Sequence, residues 1–314
     1  MNALFFGTPD FVIPVAQSLL NTDNCKLSAV VTAPDRPVGR DQILKPSPVK
    51  QWAEENKTSV LTPEELDDSF QHSVLSFQPE IGILAAYGKI IPKEIIDLFP
   101  KGILVVHPSL LPKYRGASPA QAAIVCSDQE TGVSIILMDE QMDHGPIVYQ
   151  FRSSIKPDDT ADSLYQRLFQ ETAQELPSII NDWVSNKIQV TPQNHDEATF
   201  TRLLKKENGF IPWEYLQKAM AGQLKVDWPV PFLKNYSLLL DSSSLERLIR
   251  ALSPWPGAWT SIEIINHKSN SMNRLRLKIL KAHVENNLLI LDQVQLEGKK
   301  PVSWKQFLQL THNN

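Results

Sequence analysis

The stretch GILVVHPSLLPKYRG, residues 102–116, indicates both the class of fold and the position of the chemistry. It opens with a continuous apolar run, which is typical of a strand covered on both faces. His107 ends the run, and Pro108 behind it favours extended backbone at the histidine. Ligands of open α/β sheets bind beyond the carboxyl ends of the strands, so His107 is predicted to lie at the ligand-binding edge. A histidine in this place is also compatible with a simple polar cap of the strand.

Outward from this strand, short apolar runs alternate with longer amphipathic segments over the first 190 residues. This alternation favours an α/β fold in which crossover helices connect a mostly parallel sheet. Strands are predicted at residues 3–7, 27–33, 81–88, 102–107 and 132–139, with 145–153 as a candidate partner of the last. Helices are predicted at residues 9–20, 47–56, 63–76, 118–127 and 160–184, with Pro14 delaying or kinking the first.

The pattern changes near residue 190 and divides the chain into two predicted domains. Residues 1–190 form the first, residues 191–208 are predicted to be a linker, and residues 209–314 form the second. The second contains a helix at 242–252 and several short alternating strands, which favour a small β-barrel similar to an OB-fold.

Charge is unevenly distributed between the two parts of the chain. Residues 1–200 carry 15 Lys+Arg and 26 Asp+Glu, whereas residues 201–314 carry 16 and 9, so the balances are −11 and +7 and sum to the net −4. A basic C-terminal third is typical of a protein with a polyanionic partner, and equally of a solvated basic surface.

The connection over residues 32–50 is long for a compact domain, and such loops are usually functional. We interpret it as an arm that reaches a phosphate backbone, with a plain surface excursion as the alternative. Its basic residues, the predicted nucleic-acid contacts, are Arg36, Arg40, Lys45 and Lys50.

The sequence predicts a cytoplasmic protein. It has no run of 18 apolar residues, and the N-terminal MNALFFGTPD lacks the basic and apolar regions of a signal peptide. Cys25 and Cys126 stand alone, which favours unpaired thiols in a reducing compartment over a disulfide or a metal site.

A second chemical motif, MDEQMDHG at residues 138–145, also follows a predicted strand. Acidic loops are most often solvated or bind a cation. If this loop shares the edge of the sheet with His107, however, one of its acids would orient the imidazole and favour its protonated form, which suits proton transfer near neutral pH. The chain has neither a G-x-S-x-G serine elbow nor a G-x-G-x-x-G after the first strand, so serine acyl transfer and nucleotide redox chemistry are disfavoured.

Eight motifs in order run from residue 5 to about residue 308, nearly the whole chain, and resemble the methionyl-tRNA formyltransferase family. They are FFGTPDF (5–11), PDRPVGR (34–40), PSPVK (46–50), AAYGKIIPKE (85–94), HPSLLPKYRGASPAQAAI (107–124), ETGVSIILMDEQMDHG (130–145), LSPWPGAW (252–259) and LEGKKPVSWKQFL (296–308). The resemblance implies a Rossmann-like, mostly parallel sheet with helices on both faces, followed by the small OB-like barrel. It implies transfer of a formyl group from 10-formyltetrahydrofolate to the α-amino group of methionine on initiator tRNA, in translation initiation.

The same resemblance implies roles for individual residues. His107 would donate to the formyl oxygen and shuttle protons, and Asp143 would hold the imidazole or an ordered water. Folate would contact Ala85, Ala86, Tyr87, Gly88, Ser109, Leu110, Leu111, Pro112 and Asp139. The tRNA would be held by the 32–50 connection and the basic C-terminal domain. The enzyme is expected to be monomeric and to use no metal.

One position departs from the family pattern. The family reads Asn-x-His before the loop, with the amide as a second donor to the oxyanion, whereas this chain has Val105, which has no side-chain donor. Loss of such a donor elsewhere costs about 2.7–4 kcal/mol. Four explanations are compatible with Val105: a slow enzyme, a replacement donor such as Ser109, a binding protein without efficient catalysis, or a substitution in this chain. His144, where the family commonly has threonine, is either a replacement donor or a solvated loop residue.

Two other functions stay open. Sister formyltransferases that act on sugar-nucleotide amines or on a glycinamide ribonucleotide would share His107 and Asp143. The basic residues 201–314 disfavour these, because a small substrate does not require them. A non-catalytic folate- or tRNA-binding homologue is supported by Val105 alone.

Overall fold

The computed structural model describes residues 1–23, 25–38, 42–266 and 271–312. Two compact units are present, and each is discontinuous in sequence. The first comprises Met1–Arg115, Thr131–Ser154 and Tyr165–Thr199, and the second comprises Gly116–Glu130, Ile155–Leu164 and Phe200–Asn314. The predicted boundaries at residues 190 and 209 stay a prediction.

The elements of the first half of the chain follow the predicted alternation. The strands are β1 (Asn2–Gly7), β2 (Lys26–Val31), β3 (Arg36–Val38), β4 (Ile43–Lys45), β5 (Ser59–Leu61), β6 (Ile81–Ala85), β7 (Ile103–His107), β8 (Glu130–Leu137) and β9 (Ile147–Ser154). The helices are α1 (Ile13–Leu20), α2 (Pro48–Glu55), α3 (Asp68–Leu75), α4 (Lys93–Ile96), α5 (Pro119–Val125) and α6 (Ala161–Val184). The late start of α1 fits Pro14, because proline is best tolerated in the first turn of a helix.

A seven-stranded sheet in the order β5-β2-β1-β6-β7-β8-β9 organises the first unit. The strands from β5 to β7 are parallel, whereas β8 runs antiparallel to β7. The sheet's central strands are almost completely buried, as in β1, where Ala3 to Phe6 have no exposed surface. The predicted Rossmann-like, mostly parallel fold is confirmed, and so is the placing of residues 145–153 beside the strand before them.

The connection over residues 32–50 contains a two-stranded antiparallel hairpin, which the sequence analysis did not predict. Arg36 lies opposite Lys45 in its register. Ile43 and Leu44 at its second strand are 58% and 66% exposed. Arg40, one of the predicted nucleic-acid contacts, lies outside the described residues.

The second unit is built from antiparallel strands. These are the hairpin β10 (Val226–Pro229) and β11 (Ser237–Leu240), and a four-stranded sheet of β12 (Ala258–Asn266), β13 (Ser271–Glu285), β14 (Leu288–Leu296) and β15 (Val302–Ser303). Its further helices are α7 (Trp213–Met220), α8 (Ser242–Ala251) and α9 (Trp304–His312). α5 packs against α8, so this unit takes a helix from the middle of the chain. The small C-terminal β-domain, which the sequence predicts to be an OB-like barrel, is therefore confirmed as a domain of antiparallel strands.

Among the helices of the described residues, none has the length and apolar character needed to cross a membrane.

Candidate active site

His107 is the last residue of β7, and 5% of its surface is exposed. Its strand lies between β6 and β8 in the sheet. Because side chains alternate along a strand, Val105 and His107 project from the same face of β7. The local sequence thus places one imidazole and one apolar side chain next to each other at the end of a buried strand.

Both ring nitrogens of His107 face an acceptor. Nδ1 lies 3.5 Å from Oδ1 of Asp143, and Nε2 lies 3.0 Å from the carbonyl oxygen of Tyr114. A carbonyl oxygen can only accept a hydrogen bond, so Nε2 carries a proton and donates to it. Nδ1 is then the ring nitrogen that faces the carboxylate.

Asp143 reaches His107 by a different route from the one expected. β8 runs antiparallel to β7, so its last residue, Leu137, pairs with Leu104 near the start of β7. The expectation that the loop after β8 leaves the sheet at the same edge as His107 is therefore wrong. The loop folds back instead, and Asp143 takes a left-handed backbone conformation with φ of 53°, which aspartate tolerates better than most residues.

A residue that the sequence analysis missed, Gln193, contacts this loop through its side-chain amide. Its nitrogen donates to the carbonyl oxygens of Asp143 at 3.0 Å and Gly145 at 2.7 Å. Its oxygen accepts from Nε and Nη2 of Arg115 at 3.1 and 2.6 Å. Both Gln193 and Arg115 are buried. The predicted linker offered no periodicity or motif that marks Gln193 in advance.

His144 is neither fully solvated nor directed at a donor position. Its Nδ1 lies 2.6 Å from Oδ2 of Asp139, and its ring stacks on His195 with centroids 4.0 Å apart. Asp139, a predicted folate contact, is therefore already engaged within the loop. Nη2 of Arg115 donates to Nδ1 of His195 at 2.8 Å, which adds a second contact between these segments. Desolvation by its neighbours, followed by electrostatic repulsion from His144 and Arg115, lowers the pKa of His195.

Val105 lies in an apolar cluster with Leu111 and Ile136. It pairs with Leu84 of β6 and with Ile136 of β8 in the sheet register. Within the described residues, this cluster presents hydrocarbon where the family resemblance implies an amide donor.

The predicted folate segment follows β6 directly. Ala86 and Gly88 have φ of 46° and 86°, and a Cβ added at Gly88 would meet no atom within 4 Å. This backbone is therefore open to close approach by a flat ligand. The Tyr87 hydroxyl is buried and has no hydrogen-bond partner in the described part of the chain, and burial raises the pKa of Tyr87 to about 12.

The second predicted folate segment follows β7 and is held by its own hydrogen bonds. The Ser109 hydroxyl donates to the Lys113 carbonyl at 2.6 Å, and the Leu111 amide donates to the Ser134 hydroxyl at 3.0 Å. Leu110 and Pro112 lie in the same turn. The Ser109 hydroxyl proton is thus committed to the backbone, which argues against Ser109 as the replacement donor.

The predicted nucleic-acid contacts differ in their surroundings, since Lys50 forms an ion pair whereas Arg36 and Lys45 are exposed on the hairpin. Nζ of Lys50 lies 2.8 Å from Oδ1 of Asp35, and this hydrogen bond raises the pKa of Lys50. Arg36 and Lys45 are exposed neighbours on the hairpin. Over residues 1–23, 25–38, 42–266 and 271–312, no group of three or more His, Cys, Asp or Glu side chains is arranged to hold a metal ion.

Comparison with known proteins adds to this geometry. Residues 1–180 match the family model for formyl transferase, and residues 240–289 match the formyl transferase C-terminal domain. The methionyl-tRNA formyltransferase of Chloroflexus aurantiacus (strain ATCC 29366 / DSM 635 / J-10-fl) is 38% identical over 261 residues, which cover 83% of this chain and 76% of the relative. That of Roseiflexus castenholzii is 34% identical over 329 residues, which cover 99% and 97%.

Solved structures agree on the fold. The methionyl-tRNA formyltransferase from Clostridium thermocellum superposes with a TM-score of 0.59 at 20% identity, covering 94% of this chain and 98% of that one. An N-formyltransferase from Helicobacter canadensis, in complex with folinic acid and dTDP-3-aminofucose, superposes with a TM-score of 0.58 at 18% identity, covering 90% and 88%. At these identities the likeness concerns the fold alone. The two sequence relatives and the matching N-terminal model place this chain in the methionyl-tRNA formyltransferase family.

Proposed function

We propose that the protein transfers a formyl group from 10-formyltetrahydrofolate to the α-amino group of methionine on initiator tRNA, as a cytoplasmic monomer. The observation that carries the proposal is the pair of buried His107 and half-buried Asp143, with 3.5 Å between Nδ1 and Oδ1, in a chain of this family. An imidazole fixed at one nitrogen and facing a carboxylate at the other is equipped to move a proton.

The proton balance of the reaction explains the pair. The folate supplies a formyl group attached to its N10 nitrogen. As the methionyl amine forms a bond to the formyl carbon, Nδ1 of His107 takes the proton that the amine loses. The bond to N10 then breaks, and Nδ1 returns the proton to the departing nitrogen. Asp143 stabilises the imidazolium that exists between these steps, while Tyr114 holds the ring by its Nε2.

Support for the donor site comes from backbone geometry. The segment Ala85–Gly88 ends β6, beside the strand that carries His107. The open approach at Gly88 suits the backbone hydrogen bonds that we propose for the pterin ring. Asp139 would contribute through its backbone, since its carboxylate is engaged by His144.

Support for the tRNA site comes from the C-terminal sheet as well as the 32–50 hairpin. Arg274, Arg276 and Lys278 are all exposed, and they alternate along β13 with the apolar residues Leu275, Leu277 and Ile279. The guanidinium carbon of Arg276 lies 4.1 Å from the centre of the Trp259 ring. A row of cations next to an aromatic ring is suited to phosphates and unpaired bases.

Two alternatives have weaker support. A sugar-nucleotide formyltransferase would share the proton-transfer pair. Such an enzyme acts on a small substrate, however, and does not require the row of basic residues on β13. A non-catalytic folate- or tRNA-binding homologue is favoured by one observation, the hydrocarbon surroundings of Val105.

The deciding experiment is a formylation assay with purified protein, 10-formyltetrahydrofolate and methionine-charged initiator tRNA. We expect N-formylmethionyl-tRNA to form, and charged elongator methionyl-tRNA and a dTDP-linked amino sugar serve as competing acceptors. Formylation of the amino sugar alone would replace the proposed acceptor. Folate binding without transfer to any acceptor would establish the non-catalytic alternative.

The basic row is tested by point substitution, because a cut near residue 200 would remove the helix α8 that packs on α5. Arg276→Ala with Lys278→Ala should weaken tRNA binding and reduce the salt dependence of its association constant by about one unit of slope per charge. Lys187→Ala, an exposed lysine of the first unit, is the matched control. An unchanged slope in the double variant would remove this row from the tRNA site.

A further inference from the structure

The segment 193–199 contacts both residues that hold His107. One is Tyr114, whose carbonyl accepts from Nε2, and the other is Asp143, whose carboxylate faces Nδ1. The Tyr114 amide donates to the Thr199 hydroxyl at 2.8 Å. The Asp143 carbonyl accepts from the Gln193 side chain at 3.0 Å. A single stretch of chain therefore lies behind both sides of the imidazole.

Gln193 connects these two sides directly. Its amide nitrogen has two hydrogens, and both find a carbonyl, on Asp143 and on Gly145. Its amide oxygen accepts two hydrogen bonds from the guanidinium of Arg115, the residue that follows Tyr114. The whole hydrogen-bonding capacity of one side chain is thus used to join the Tyr114–Arg115 segment to the Asp143 loop.

Burial makes this connection costly to break. Gln193 is 6% exposed and Arg115 is 4% exposed. Removing one partner of a buried hydrogen bond leaves the other unsatisfied, which costs more than the bond itself contributes. The Arg115 backbone is also fixed, because its amide donates to the Thr199 carbonyl at 2.9 Å. The Asp143 loop is also closely packed at its end, since a Cβ at Gly145 would collide with the carbonyl of Leu137.

We propose that Gln193 and Arg115 form a positioning pair that keeps Asp143 and the Tyr114 carbonyl on opposite sides of the His107 imidazole. Neither residue touches the reacting atoms. The pair acts through the backbone of the Asp143 loop, and the inference rests on the proposed role of His107 in formyl transfer. A misplacement of about 1 Å in such a group costs on the order of 10²-fold in rate.

Substitution of Gln193 separates positioning from packing. Gln193→Glu keeps the length and the acceptor for Arg115, whose positive charge keeps the new carboxylate ionised, but it cannot donate to the two loop carbonyls. Gln193→Met keeps the length without any polar group. Asn194→Ala, at the adjacent exposed residue, is the matched control. Kinetic constants are measured with both substrates, together with thermal unfolding of each variant.

We expect both Gln193 variants to lower kcat by about 10- to 100-fold while KM for either substrate changes by less than about twofold, and Asn194→Ala to match the parent protein. Wild-type kcat in Gln193→Glu would overturn the proposal, because only the loop-facing hydrogen bonds are lost there. A loss confined to KM, or one explained by unfolding at the assay temperature, would overturn it as well.

A ligand-free measurement separates this inference from the proposed function. Proton–carbon spectra of the imidazole groups report the surroundings of His107 whether or not the protein formylates tRNA. The His107 signals should shift in Gln193→Glu and stay in place in Asn194→Ala. Unshifted signals in Gln193→Glu would overturn the positioning role, whereas shifted signals in a protein without formyl transfer would retain that role and reject the proposed function.

Discussion

Val105 and His107 lie two residues apart on the same face of β7, but their surroundings are opposite. Each ring nitrogen of His107 faces an oxygen atom, from Tyr114 on one side and Asp143 on the other. Val105 faces Leu111 and Ile136 and has only hydrocarbon to offer. The proposed proton-handling side of the site, His107 with Asp143 and Tyr114, thus has its contacts in place, whereas the proposed oxyanion side, at Val105, lacks a side-chain donor.

If the proposed function holds, the difference means that the two requirements of formyl transfer fall to separate groups. Proton transfer needs a group that takes a proton and gives it back, and we propose that His107 with Asp143 supplies it. Oxyanion stabilisation needs donors aimed at the developing charge, and one such donor is worth about 2.7–4 kcal/mol. A chain that keeps the first and lacks the second should be an enzyme of reduced rate rather than an inactive one.

Among substitutions on the proton-handling side, replacement of His107 itself should lower the rate most. His107→Ala should reduce kcat by about 10²- to 10⁴-fold, because the general acid–base contribution is lost. Single-turnover formylation of charged initiator tRNA is the measurement. His72→Ala, at an exposed histidine of α3, is the control and should keep the parent rate. A rate within threefold of the parent in His107→Ala would remove the imidazole from the mechanism.

Restoring a side-chain donor at position 105 tests whether its absence limits the rate. Val105→Asn should raise the single-turnover rate by about tenfold or more, since an amide would then face the formyl oxygen. Val105→Ala is the matched control, because it removes hydrocarbon without adding a donor. An equal gain in both variants would mean that extra space limits the rate. No gain in Val105→Asn would mean that another donor already serves this position.

The sequence predicts one side of this comparison better than the other. Continuous apolar runs identify β1, β6 and β7 as buried strands, and the histidine at the end of β7 then falls at the ligand-binding edge. The same pattern cannot tell a parallel strand from an antiparallel one once both faces are covered, so the direction of β8 was missed. The absence of an amide at Val105 was visible from the family pattern alone.

The supports of the site are harder to predict than its reactive groups. Gln193 lies 50 residues from Asp143 and 78 from Arg115, in a segment whose composition is typical of a linker. Its contacts depend on tertiary folding and leave no local periodicity. The 32–50 connection was missed as a hairpin for a related reason, because Pro37 and Pro46 disfavour strand predictions around the short β3 and β4.

Titration of His195, which accepts a hydrogen bond from Arg115, should make the free energy of unfolding depend on pH. Its pKa is lowered in the folded state, so just below pH 6.5 the unfolded chain binds more protons at this position than the native one. The free energy of unfolding should therefore rise with pH through that window and reach its full value above it. His195→Asn, which keeps an acceptor for Arg115, should flatten this rise. Urea unfolding between about pH 5 and pH 7 measures the slope, with His72→Asn as the control. An unchanged slope in His195→Asn would place the proton uptake elsewhere.

Tyr87 is the converse of Val105, since it is a polar side chain in apolar packing. Its ring packs edge to face against that of Phe6, with the ring centroids 5.7 Å apart, and its buried hydroxyl has no hydrogen-bond partner among the described residues. An unsatisfied buried hydroxyl is unfavourable, so Tyr87→Phe should raise the free energy of unfolding by about 1 kcal/mol. The KM for the folate should stay unchanged, because only backbone groups of this segment are proposed to bind the pterin. An increase in that KM beyond threefold would instead mean that the Tyr87 hydroxyl binds the folate. The polar groups that contact substrates would then extend from His107 at the end of β7 to Tyr87 after the end of β6.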